Sequence, residues 1–325
     1  DTLTKIVQQS SNLNHVMTFS TERSIQTFFT FYRKAYHRLL KFLGENPTLA
    51  CEDYSIVLRK LILLNLIWSF GGDMVWTDRN KLISFLLSLP EFSQLKQSSV
   101  AQDLAHASIS FEKLDWFKLV TKSDEVDLEP QAIVKPDIVV PTLDTAEIER
   151  LLITLLEEHR CVILSGPPGA GKTMLLMSTL RQSPSFDFAG MNFSEVTSPK
   201  LVLQTLEQYC IYTESSDGLI LQPPNVDKWV VIFCDEINLP SLDDYGSQPA
   251  IEFLRQLIGY NGFWNSSKAL WVTLSHIQFV GACNPPSDAG RTLLSERFLR
   301  LCSILMIDYP SKASLKEIYL TFNRS

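Results

Sequence analysis

The sequence has no CxxC pair and no group of histidines and cysteines at zinc-ligand intervals, which argues against a zinc-stapled fold. Its six cysteines (Cys51, Cys161, Cys210, Cys234, Cys283 and Cys302) are scattered, and several stand inside apolar, strand-like runs. Buried free thiols in a reducing, cytoplasmic compartment are the reading that fits them. An excess of basic residues is missing too: 29 Lys and Arg face 36 Asp and Glu, for a net charge of -7. That balance argues against a dedicated nucleic-acid binder. Long apolar runs are also lacking. The longest, Leu61 to Phe70, falls short of the ~20 residues that span a bilayer and reads as a buried helix, so no membrane is expected as a partner. The N-terminus is polar, without the features of a signal peptide, and has no initiator Met. The chain is expected to be a piece of something larger.

What is present is ordinary globular material: 45% hydrophobic and 20% charged residues, enough to bury a core. At ~150 residues per domain the length suggests two domains or parts of them. Residues 1–120 read as helices. Ser24 to Leu43 places Ile25, Phe28, Phe29, Tyr32, Tyr36, Leu39 and Leu40 at helical spacing, a stripe expected to be core, and Gly44 and Pro47 end it. Asp53 is expected to cap the next helix, which runs through Leu58, Leu61, Ile62 and Leu66 to Trp68 and stops at Gly71 and Gly72. A third helix spans Arg79 to Leu89. Acidic residues mixed with Pro130, Pro136 and Pro141 mark residues 121–145 as an extended linker. Beyond it, strands at 161–164, 189–193, 229–234, 277–282 and 303–307 alternate with helices at 146–158, 174–181, 200–209 and 251–258. Alternation of this kind implies an α/β fold with a parallel sheet and helices on both faces.

Four segments carry chemistry. GPPGAGKT, Gly166 to Thr173, fulfils the phosphate-loop pattern G-x-x-x-x-G-K-S/T between an apolar strand and a helix. Gly166, Gly169 and Gly171 allow the tight fold that turns backbone N–H groups toward phosphates. The helix start adds its positive end, Lys172 a cation, and Thr173 a hydroxyl for Mg²⁺. VVIFCDE, Val230 to Glu236, is an apolar strand ending in two acids: Asp235 to hold Mg²⁺ and Glu236 to polarise the attacking water. VGACNPP, Val280 to Pro286, ends a third strand on Asn284, an amide that either positions the water and phosphate or simply makes a turn before proline. LSERFLRL, Leu294 to Leu301, offers Arg297 and Arg300, as fingers for a neighbouring site or as a solvated helix face.

Together these features resemble the AAA+ family. The runs PDIVVPTLDT (136–145), SGPPGAGKTM, FCDEINLPSLDDYGSQ (233–248), FVGACNPPSDAGR (279–291) and SERFLR (295–300) look more narrowly like the third AAA+ module of the cytoplasmic dynein heavy chains. LILLNLIWSFGGDM (61–74) looks like the small helical subdomain that closes their second module. The resemblance implies a AAA+ P-loop NTPase large subdomain with a five-stranded parallel sheet over 146–325, preceded by an all-α subdomain over 1–120. It implies ATP or ADP with Mg²⁺ held by the loop Gly166, Pro167, Pro168, Gly169, Ala170, Gly171, Lys172, Thr173 and Met174. It makes Asn284 a sensor and Arg300, then Arg297, a finger acting in trans on the preceding module. It places Val139, Val140, Pro141 and Thr142 beside the adenine. The third module's own lid and the second module's phosphate loop are expected outside this chain. Expected partners are the neighbouring AAA+ modules and dynein accessory subunits and regulators, with microtubules reached only through parts outside this chain. A regulatory ATPase of a cytoplasmic, cytoskeleton-associated motor is therefore expected. The competing readings are a nucleotide-locked scaffold module and a module of another single-chain machine, such as a ribosome-assembly ATPase.

Overall fold

A computed structural model describes residues 2–45, 51–97, 104, 107–110, 115–118, 140, 142–216, 218–265 and 269–324. The chain divides into two compact units, residues 1–154 with 308–325, and residues 155–307.

The first unit opens with four helices: α1 (Thr2–Ser11), α2 (Thr21–Glu45), α3 (Cys51–Gly71) and α4 (Trp76–Ser88). The backbone of α3 begins two residues before Asp53, so Asp53 lies in its first turn and not ahead of it. The stripe expected to bury α2 is corrected: Phe29, Tyr36 and Leu40 are exposed, and Phe28, Tyr32 and Tyr36 stack on one another along the helix. Leu39 of that stripe is buried as expected, but the rest of the buried face carries Arg23, Ser24, Thr27, Thr30 and Phe31. Small side chains on that face let helices approach closely. The end of α3 is closed by Arg79, which donates to the carbonyls of Gly71, Gly72 and Met74 at 3.0, 3.3 and 3.0 Å and lies over the Trp68 ring. Gly71 is the last residue of α3, where the carbonyls lack intrahelical partners, and Gly72 and Met74 continue the turn that follows. By length and composition Tyr54–Gly71 passes the test for a membrane span, but Leu63, Leu64, Ile67 and Phe70 are core residues of this unit.

The reading of 1–120 as wholly helical also needs correction. Strands β1 (Ala107–Ser110) and β2 (Asp115–Lys118) form an antiparallel pair. Segments this short give periodicity too little length to register. Lys60 on α3 pairs with Asp115 at 2.6 Å. Next comes α5 (Leu143–Glu157), which starts inside the expected linker, and its residues through Thr154 belong to this unit.

The second unit runs β3 (Cys161–Ser165), α6 (Lys172–Arg181), β4 (Phe186–Asn192), α7 (Pro199–Tyr209), β5 (Ile211–Ser215), β6 (Gly218–Gln222), β7 (Trp229–Asp235), α8 (Pro249–Tyr260), β8 (Gly262–Asn265), β9 (Leu270–Leu274), β10 (Ile277–Cys283), α9 (Glu296–Leu299) and β11 (Cys302–Met306). The chain then returns to the first unit as α10 (Lys312–Arg324), where Asp144 accepts from Ser311 N and Ser314 Oγ. Five strands form one sheet, order β11-β3-β10-β7-β4, all parallel. Every residue of β3, β10 and β11 is buried, the signature of a parallel sheet covered on both faces. That is why these strands read as unbroken apolar runs. Register fixes the functional ends. Cys283 lies beside Ser165 and Gly281 beside Cys234, so β3, β10 and β7 finish within about two residues of one another.

A second sheet, order β5-β6-β9-β8, was not expected from the sequence. Its strands are short and partly exposed, with Ile211, Trp264, Leu270 and Trp271 facing out, so they carry no buried run. The stability of the unit should reside in the five-stranded sheet. Ile232→Ala, at a fully buried position of β7, should cost about 2–5 kcal/mol and lower the urea midpoint. Ile211→Ala on exposed β5 should stay within about 0.5 kcal/mol. Equal midpoints for the two variants would contradict this.

Candidate active site

The loop between β3 and α6 is shaped by what its residues lack. Gly169 and Gly171 sit at φ +78° and +87°, where a side chain is strained. Gly171 is the N-cap of α6 and offers no side chain to its first-turn amides, which stay open to an anion. Gly166 is needed for a different reason. A β-carbon there would overlap the carbonyl oxygen of Ile307. Gly166 N also donates to Cys283 O at 3.2 Å, and Ile307 N to Ser165 O at 2.8 Å, so the loop starts tied to both neighbouring strands.

Lys172, the first residue of α6, turns back into this loop. Its ammonium donates to Gly166 O at 2.8 Å, Pro167 O at 2.9 Å and Asn284 Oδ1 at 3.0 Å. It is only 9% exposed. Burial holds its pKa below the ordinary lysine value, against the opposing pull of Glu236 and Asp235. The Cys283 thiol at the end of β10 is pushed up to about 12 by burial. Ala170 is buried, Pro167 partly so, and Pro168, Gly169, Thr173 and Met174 are exposed.

Asp235 closes β7, and Glu236 follows it at φ +55°, unusual for a residue with a side chain. The Glu236 amide donates to Asp235 Oδ1 at 3.0 Å, which holds the turn and separates the two carboxylates. Asn284, 6% exposed, does more than make a turn: its side-chain oxygen binds Lys172 while its backbone oxygen accepts from Asn238 Nδ2 at 2.9 Å. The structure thus brings Gly166, Lys172, Asp235, Glu236 and Asn284 to the carboxyl ends of three parallel strands, where open α/β sheets bind ligands.

The two arginines lie on a different element. Arg297 and Arg300 are exposed at the end of α9, which Phe298 and Leu299 anchor in the core and Ser295 caps. Among the expected adenine residues, Val139 and Pro141 lie outside the described residues. Val140 and Thr142 are buried in the first unit, and the Thr142 hydroxyl bonds Thr145 at 3.0 Å at the start of α5. Two residues without an expected role complete the picture. Arg291 forms an ion pair with Glu236, and Asn238 links the turn after Glu236 to Asn284. Both lie inside runs matched by resemblance, but nothing local in the sequence marks either as a partner of the acids.

A glycine loop that opens a helix, a strand ending in two acids and a strand ending in an amide define a P-loop NTPase of the AAA+ kind. The family profile described as the P-loop containing dynein motor region matches residues 129–310, and that of the dynein heavy chain AAA lid domain matches residues 1–118. The chain belongs to this dynein motor family. It is similar to the cytoplasmic dynein heavy chain of Fusarium vanettenii, 42% identical over 98% of this chain, and of Drosophila melanogaster, 40% identical over 99%. That of Dictyostelium discoideum is 39% identical over 99%. The chain spans about 7% of the length of these curated relatives. It is therefore an AAA+ P-loop module of dynein type rather than of a ribosome-assembly machine.

The role given to Gly166 is open to test. Gly166→Ala should cost about 1–3 kcal/mol and weaken nucleotide binding at least tenfold, because the loop must leave Ile307. A thermal scan and a titration with a fluorescent ATP analogue measure both, and unchanged values would refute the close approach.

Proposed function

We propose that this chain binds ATP at Lys172 and hydrolyses it slowly, as a regulatory AAA+ module of a cytoplasmic, microtubule-based motor. The observation that carries the reading is the convergence of Lys172, Asp235, Glu236 and Asn284 at the ends of β3, β7 and β10. The loop amides and the α6 N-terminus would cradle the phosphates, and Lys172 would exchange its loop oxygens for phosphate oxygens. Glu236 would take a proton from water as the water oxygen bonds the γ-phosphorus and the bridging P–O bond breaks, releasing ADP and phosphate. Asn284, already on Lys172, would share the γ-phosphate or the water.

The donor set also suits Mg²⁺. No group of three or more His, Cys, Asp or Glu able to hold a metal occurs among the described residues. Mg²⁺ asks for less: one or two protein oxygens, with phosphates and waters completing its shell. Exposed Thr173 and partly buried Asp235 supply a hydroxyl and a carboxylate. When bound, the ion would neutralise charge on the β and γ oxygens.

The relatives' names support the wider reading. We infer that residues 1–120 are the helical lid of a preceding module, 121–145 a linker and 146–325 the large subdomain of the third. The two profile matches, which leave 119–128 between them, favour this division. Arg300, with Arg297 second, would then act in trans on the preceding module's nucleotide. Neighbouring modules of the same heavy chain and accessory subunits are the proposed partners, in the cytoplasm and on the cytoskeleton. Microtubules would be reached through parts outside this chain.

Two variants separate binding from chemistry. Lys172→Ala should abolish binding of a fluorescent ATP analogue, and wild-type affinity would sink the proposal. Glu236→Gln should bind normally but retain ATP, with single-turnover hydrolysis slowed at least ~10²-fold. Stoichiometric ADP surviving long dialysis of the unmodified chain would favour a nucleotide-locked scaffold.

A further inference from the structure

A carboxylate that polarises water must be aimed as well as ionised. The backbone of Glu236 is fixed by its left-handed φ and by its amide bond to Asp235 Oδ1. The side chain is met by another element. Arg291 Nη1 forms an ion pair with Glu236 Oε2, with the two side chains 14% and 33% exposed.

Arg291 reaches that position on the loop that begins at Asn284. Asp288 N turns back to Pro285 O at 3.0 Å, and Arg291 N to Asp288 O at 3.3 Å. Gly290, at φ +74°, makes the reversal that only glycine adopts without strain. Both ends of the loop are stitched to the turn after Glu236 by one side chain's residue: Thr292 N donates to Asn238 O at 3.0 Å, and Asn238 Nδ2 donates to Asn284 O at 2.9 Å. One loop therefore holds Lys172 through Asn284 at its start and Glu236 through Arg291 near its end.

We propose that Arg291 is the positioning residue for the hydrolytic base: paired with one carboxylate oxygen of Glu236, it holds the other toward the attacking water. The proposal rests on Glu236 being that base. Arg291 also lies close enough to Lys172 to oppose its charge. A direct role as a phosphate-binding cation is therefore the competing outcome, and it predicts a different defect.

The test uses single-turnover hydrolysis of γ-labelled ATP with the chain in excess and Mg²⁺ present, beside titration with a fluorescent ATP analogue. Arg291→Ala should slow hydrolysis about tenfold or more while affinity stays within about threefold, the pattern of an interaction used in the transition state. Arg291→Lys should recover part of the rate. In a Glu236→Gln background, Arg291→Ala should cost less than about twofold, because residues that act as one unit are not additive. A wild-type rate for Arg291→Ala overturns the proposal, as does an undiminished tenfold loss in the Gln background. A tenfold loss of affinity assigns Arg291 to the phosphates instead. If Glu236→Gln itself hydrolyses at the normal rate, the assignment of the base has failed, and that result is read separately. Should Arg291→Ala lose its fold by circular dichroism, Arg291→Gln carries the same expectations.

Discussion

An ammonium group buried among strand ends is tolerated only where oxygens surround it, and the architecture of the second unit supplies them at Lys172. Two carbonyls come from its own loop and one amide oxygen from the neighbouring strand end. For that to happen β3 and β10 must be adjacent and parallel, must end level, and must leave room for a loop that no β-carbon crowds at Gly166. Each requirement is met by a sequence feature: apolar runs for strands buried on both faces, a glycine at the close approach, and an amide where β10 stops. Lys172 is held by groups that a phosphate can replace, since carbonyl and amide oxygens are neutral and phosphate oxygens are charged.

The two acids at the end of β7 are adjacent in sequence but differ in surroundings. Asp235 ends the strand and accepts the next amide, whereas Glu236 leaves the sheet through a left-handed residue and meets Arg291. That divergence gives two adjacent carboxylates different surroundings, as the proposed division into a cation ligand and a base requires. It also places the second acid under the control of the loop that carries Asn284. One short stretch of chain therefore meets both Lys172, through Asn284, and Glu236, through Arg291.

Much of this was legible in the sequence, for physical reasons. Strands covered on both faces appear as runs of Val, Ile and Leu, so β3, β7 and β10 and the chemistry at their ends could be read directly. The phosphate loop was readable because its glycines answer backbone demands that other residues cannot meet. What was hidden lacked such a one-dimensional trace. The strands β5, β6, β8 and β9 are short and half exposed, so they carry neither a run nor a long alternation. The core face of α2 leaves little trace, because beside Phe31 and Leu39 it packs Ser24, Thr27 and Thr30 while Phe29 and Tyr36 face out. Arg291 stayed hidden because its partner lies on another strand end, and an ion pair across a loop leaves no pattern at either residue.

Nucleotide phosphates are expected to replace the internal partners of Lys172 on binding. Amide hydrogen exchange with and without ATP and Mg²⁺ tests it most directly. Exchange should slow in 166–175, where the loop amides and first turn of α6 would meet the phosphates, and in 284–292, which carries Asn284 and Arg291. Binding that leaves both segments unchanged, or protects residues elsewhere instead, would contradict it.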